Sequence, residues 1–153
     1  MQTASFKSFL FGCAVLGAIN LGSGGTQAAT ENSVSITNNG GGVVVQYALK
    51  VAEYRDAGTL VKFSGRCDSS CTLFLSLPQQ QTCISPGAYF RFHSPSGINA
   101  RAIRVAQSFM MKKYPGWVRN WISGQGGLSK RLIKMDYAYA SRFIASCDRI
   151  ALR

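Results

Sequence analysis

The sequence predicts an α/β fold with mostly parallel strands and flanking helices, compact and braced by disulfides. Three observations carry this. Stretches rich in β-branched residues take turns with stretches whose apolar residues recur at helical spacing. Such alternation favours parallel pairing, because two parallel strands need a crossover between them. Four cysteines remain beyond an apolar leader, an even number of the kind that exported domains use for bridges.

The elements follow in order. Residues 33–39, SVSITNN, alternate polar and apolar and predict a strand. Gly40, Gly41 and Gly42 break it. In VVVQYALKVAEYRDAG, Val44, Tyr47, Ala48, Val51 and Tyr54 share a helical face, and Gly58 is a natural stop. TLVKFSG predicts a second strand, and SSCTLFLSL a short buried helix ended by Pro78. TCISPGAYFRFHSP is strand-like on both sides of Pro86-Gly87. INARAIRVAQSFMMKKY predicts a helix with Ile103, Ala106, Phe109 and Met110 inward and Pro115 as its stop. GWVRNWISG adds one or two helical turns, and GLSKRLIKMDYAYASRFIASC is expected to be helical at its start.

The first 28 residues have the pattern of a secretory signal peptide. Lys7 is followed by an apolar run from Phe9 to about Leu21, then by small residues with a cleavage site after Ala28 or Ala29. Residues 29–153 then form a single exported domain, periplasmic or secreted. A lipoprotein reading at Cys13 would cut the apolar run short and has the ill-fitting Phe11 before it. The chain has 17 Lys and Arg against 6 Asp and Glu, a net charge of +11. The basic residues are scattered, which fits solubility and loose attraction to anionic polymers or lipid, with no specific nucleic-acid site. Nothing in the sequence calls for a cofactor or a metal.

Chemistry-bearing residues gather where strands end. In α/β folds the carboxyl ends of the strands form the site. Gly40–Gly42, the stretch Cys67–Ser70, and His93 each follow a predicted strand. Ser69 lies in a strand-to-helix turn, where a nucleophile can stand clear of the sheet. The Ser70 N–H opens the helix and can face an oxyanion, and Gly41 or Gly42 can supply a second donor. His93, the single histidine, is the available base. Cys67, Cys71, Cys83 and Cys147 can form two disulfides, in any of three pairings.

These residues also carry a resemblance. GRCDSSCTLFL followed by CISPGAYFRFHSP resembles the active-site half of the Clp protease proteolytic subunit, in the ClpP/crotonase superfamily, and more closely the small exported ClpP-like proteins of bacteria. Gly65-Arg66-Cys67-Asp68-Ser69 is similar to the family's nucleophile turn, FHSP to its His-x-Pro stretch, and NGGGV to its oxyanion turn. The resemblance covers about residues 34–95. It implies a truncated ClpP/crotonase-like fold and an exported serine hydrolase, a peptidase with a Ser69–His93 pair. The family's third catalytic residue is an Asp downstream of the histidine. Its motif is not recognisable here, so Asp136 is the position the resemblance suggests, with Asp148 further on and Asp68 beside the serine pointing away.

Two other readings stay open. One is an inactive module on the same fold that binds an acidic or peptidic partner, through the basic helix (Arg101, Arg104, Lys112, Lys113) or through Trp117 and Trp121. The other is a zinc module of Cys67, Cys71, Cys83 and His93, against which export argues. The sequence does not speak to oligomeric state.

Overall fold

The computed structural model describes residues 32–150; the leader, its cleavage site and Cys13 lie outside them. The fold is α/β, with a curled mixed sheet, flanking helices and two disulfides. The sheet is organised around β2 (Leu60–Asp68). One edge of β2 is covered by β1 (Ser33–Asn39), in parallel from Ser33↔Leu60 to Asn39↔Cys67. Its other edge is shared by two short parallel strands, β3 (Thr82–Ile84) on the first half and β4 (Tyr89–Phe92) on the second. The Pro86-Gly87 turn, with Gly87 at φ +87°, separates them. β5 (Ile133–Met135) adds antiparallel to β4, and β6 (Ala145–Ser146) adds parallel to β3.

β2 is central because its residues can be buried on both faces. Leu60, Val61, Phe63, Cys67 and Asp68 are all buried, as the near-continuous apolar pattern of an interior parallel strand requires. A register shift between Ile36 and Asn38 bends β1 over Gly65. A Cβ at Gly65 would sit 2.0 Å from the Thr37 carbonyl oxygen, so only glycine fits under that bulge.

The helices are α1 (Val44–Asp56), α2 (Ala100–Lys113), α3 (Gly116–Gly124), α4 (Tyr137–Ala140) and α5 (Cys147–Ile150). A 3-10 helix, Ser69–Ser76, stands where the sequence predicts a short buried helix. Six of its residues, Ser70 to Leu75, are buried, and α1 packs along it: Tyr54 stacks on Phe74 at 5.4 Å. The two tryptophans take part in aromatic packing. Trp117 stacks on Phe143 at 4.8 Å and Trp121 leans on Phe92 at 5.6 Å. Both tryptophans remain partly exposed beside these contacts.

One expected element is corrected. The stretch after Gly127, expected to start as a helix, runs irregularly into the strand β5 instead. Ile133 and Met135 are buried and Lys134 between them is exposed, which is the period of a strand. The open edge of β4 captures this short apolar pair, and pairing with Phe90 and Phe92 outweighs local helical spacing.

The disulfides join Cys67 to Cys71 and Cys83 to Cys147. All four cysteines are thereby used, so the zinc reading lacks its thiolates. Among the described residues no group of three or more His, Cys, Asp or Glu could hold a metal ion. The bridges span 4 and 64 positions. By loop-closure entropy, losing Cys67–Cys71 costs about 2 kcal/mol and losing Cys83–Cys147 about 4 kcal/mol. Urea unfolding of the two paired Cys→Ser variants should show that order.

Candidate functional site

β1, β2 and β4 are mutually parallel, so the residues after them emerge at one edge of the sheet. Gly40 follows β1, Ser69 follows β2 and His93 follows β4. The three features expected to share an edge do share it.

Ser69 is held in an unusual backbone. Its φ is +55°, and it is the one non-glycine residue with positive φ among those described. Left-handed backbone costs an L-residue roughly 1–2 kcal/mol, and a sharp strand-to-helix turn is where a nucleophilic serine adopts it. Several contacts hold the turn. The Cys67–Cys71 bridge closes a small loop around it, with both cysteines fully buried. Gly41, at φ +80°, presses its backbone onto it: a Cβ there would lie 2.6 Å from Asp68 O and 2.8 Å from Ser69 Cβ. The Ser70 hydroxyl accepts from Gly42 N at 2.7 Å and donates to Gly42 O at 2.9 Å.

Beneath the turn runs a buried polar relay. A carbonyl only accepts, so the Thr72 hydroxyl must donate to Ser69 O, 2.5 Å away. Thr72 Oγ1 then accepts from the Tyr114 hydroxyl at 2.6 Å. Burial pushes the Tyr114 pKa well above the usual phenol range, so the hydroxyl stays a donor at any working pH.

The glycine turn does not offer the donors expected of it. Gly41 N donates to Asn39 Oδ1 at 2.9 Å, and Gly42 N is taken by Ser70. The helix starts are better placed. Neither α1 nor the 3-10 helix has a side-chain cap or an acidic residue in its first turn. The first N–H groups of a helix lack partners within it. Those of Val44 and Val45 can face an anion, whereas Ser70 is fully buried and its N–H lies beneath Gly41. Val44 and Val45 line the same cavity as Ser69, Gly41 and Gly42.

His93 sits on the neighbouring strand. Carrying the register one step past Asp68↔Arg91 sets Ser69 level with Phe92, and His93 one residue beyond. The imidazole Nδ1 lies 2.7 Å from Ser94 O. Since that oxygen accepts, Nδ1 carries a proton, and it is Nε2 that would hold the lone pair whenever the ring acts as a base. Ser94 is itself fixed, its N–H donating to Ser129 O at 2.7 Å and its hydroxyl to Gln107 Oε1 at 2.8 Å. Among the described residues no hydrogen bond joins Ser69 to the imidazole. Pro95 and Ser96 line the cavity at Ser69; His93, two residues before Pro95 in sequence, is not among the lining residues.

The suggested Asp136 is not brought to His93. Phe90 faces Met135 across the antiparallel pair, so Asp136 lies level with Tyr89. That is four residues short of His93, roughly 13 Å at about 3.3 Å per residue. Asp136 instead caps α4, accepting from Tyr139 N at 2.9 Å. Asp148 follows Cys147, which its bridge holds to β3, away from β4. Asp68 does point away from the serine. Its carboxylate grips the Arg91 guanidinium with both oxygens, Nε at 2.8 Å, and Arg66 Nε lies 3.5 Å off. The pair clamps β2 to β4 just before the residues of interest leave them.

Sequence reading passes over Thr72, Tyr114, Ser94 and Arg91. Only Thr72 leaves a trace, as a polar residue inside the apolar run CTLFL that must find a partner if buried. No family model matches the chain, and no curated protein matches it.

Two outcomes check this geometry. Gly41→Ala should destabilise the fold by about 1–3 kcal/mol, through positive φ and the clash with the turn. Ser69→Gly should stabilise it by about 0.5–1 kcal/mol in urea unfolding, because glycine relieves the strained φ at some entropic cost. A loss of stability in Ser69→Gly would mean that the serine side chain holds the turn.

Proposed function

We propose that the chain is an exported serine hydrolase of the ClpP-like kind, cleaving an acyl bond with Ser69 as nucleophile and His93 as base. The observation that carries this is the left-handed Ser69, stapled by its own disulfide at the end of a central strand and open to a cavity. Strain of this kind persists where surrounding contacts over-determine it, and it clusters at active sites.

In the proposed step, Ser69 Oγ attacks the carbonyl while His93 Nε2 takes its proton. Closing the gap between them falls to substrate binding, since catalytic hydrogen bonds tighten in the bound complex. The Ser94 carbonyl selects the tautomer, as the family's Asp would. It brings no full negative charge to the imidazolium, so turnover is expected to be slow. The oxyanion would be met by the free N–H groups of Val44 and Val45 at the start of α1. The disulfides and the leader pattern fit an oxidising, exported setting, and no described helix is long and apolar enough to cross a membrane.

One observation favours the inactive module: among the described residues, no carboxylate and no serine hydroxyl is hydrogen-bonded to the imidazole. Fluorophosphonate labelling separates the two. The hydrolase predicts labelling lost in Ser69→Ala and reduced at least 100-fold in His93→Ala, the scale of general-base catalysis. Asp136→Asn should label like wild type, because asparagine still caps α4. Equal labelling of wild type and Ser69→Ala would leave the binding module.

A further inference from the structure

The cavity at Ser69 is a groove of about 1190 Å³, much larger than a serine site needs. Its floor follows the 3-10 helix from Ser69 through Leu73 to Ser76. At about 2 Å of rise per residue that floor is roughly 14 Å long. Its walls are helices. Val45 and Leu49 come from α1, Val105 and Phe109 from α2. Val45, Leu49 and Val105 are 61%, 68% and 63% exposed, so these apolar side chains line the groove without joining the core.

The polar lining is one-signed. Arg55 in the last turn of α1, and Arg101 and Lys113 at the two ends of α2, border the groove, and among the described residues no Asp or Glu does. Arg55 donates from Nη2 to Ser76 O at 3.0 Å, which turns its guanidinium toward the far end of the floor. Apolar walls with a cationic rim complement an apolar body with an anionic end.

The walls also favour an alkyl chain over an extended peptide. Beyond the free N–H groups at the start of α1, helix backbones satisfy their own N–H and C=O groups, so the walls offer an extended chain no main-chain pairing. A peptide laid between them would bury its amides without partners. An alkyl chain has none to lose.

We propose that the groove binds a single-chain amphipathic anion, its alkyl chain between α1 and α2 and its carboxylate, phosphate or sulfate held by Arg55, Arg101 or Lys113. That such a molecule is also the substrate, as an acyl ester whose carbonyl reaches Ser69, rests on the hydrolase reading; the binding does not.

The test uses the full chain carrying Ser69→Ala, so that nothing turns over. A dansylated undecanoate serves as the fluorescent probe. Dodecanoate, dodecyl phosphate, dodecyl sulfate and dodecyltrimethylammonium displace it, all below their micelle concentrations. The anions should bind at least about tenfold tighter than the cation of equal chain length, a difference of about 1.4 kcal/mol. Ranking among the three anions identifies the headgroup. Leu49→Gln with Val105→Gln should weaken every alkyl ligand by about tenfold or more. Arg55→Gln, Arg101→Gln and Lys113→Gln together should remove the preference for anions while the chain still binds. All five side chains border the groove outside the buried core, so unchanged unfolding midpoints will show that the fold is kept. Equal affinity for anion and cation overturns the proposal, as does anion binding that ignores the groove variants, or displacement by an extended apolar peptide as strong as by dodecanoate. Anion-selective binding without fluorophosphonate labelling in the wild type would keep the binding site and discard the hydrolase.

Discussion

The close approach of Gly41 to the turn at Ser69 is the constraint on which the site depends. Two backbones meet there with no room for a Cβ. Ser69 can hold a left-handed φ only because the chain on both sides is pinned, by the Cys67–Cys71 bridge, by Ser70 on Gly42 and by Thr72 beneath its carbonyl. Each contact alone is worth a kcal/mol or so, comparable to the strain they oppose. Their number makes the turn a single conformation and not a compromise among several. The serine hydroxyl stays uncommitted because its neighbours do the holding.

A second constraint joins the two strands that lead to Ser69 and His93. Asp68 and Arg91 face each other in register, and the charged pair ties β2 to β4 immediately before Ser69 and His93. An ion pair is an uncertain source of stability, because desolvating the carboxylate offsets much of the attraction. Its value here is geometric. A planar guanidinium gripping both carboxylate oxygens tolerates little sliding between strands. The acid next to the serine therefore works on spacing, while the imidazole takes its orientation from a backbone carbonyl.

In the proposed hydrolase, the Ser94 carbonyl would separate two jobs that a triad aspartate does together. Choosing the tautomer needs only an acceptor at Nδ1, and the carbonyl is one. Stabilising an imidazolium needs charge, and the carbonyl has a dipole only. A hydrolase built this way suits slow turnover of a tightly held substrate. The groove alongside fits that proposal, since remote apolar contact can supply binding that a pair without a carboxylate would not.

Much of the fold was legible in the sequence, as was the shared edge of its polar features. β-branched runs, helical spacing and glycine breaks are local properties, and alternation of strand and helix forces parallel crossovers. An even set of cysteines beyond the apolar N-terminal run announced bridges, although the pairing of Cys83 with Cys147 required knowing that β6 lies beside β3. The glycines after β1 and the serine after β2 could be placed at one edge because parallel strands end together. Tertiary structure alone decided the rest. β5 formed as a strand because β4 had an open edge to fill. Asp136 was removed from the site by antiparallel register, in which each step past Phe92 carries the partner the opposite way. The glycine N–H groups were spent on Asn39 and Ser70, and the groove appeared only where exposed faces of α1 and α2, 43 residues and more apart in sequence, came to border one cavity. Those outcomes depend on which groups meet across the fold, and no local pattern of residues encodes a meeting.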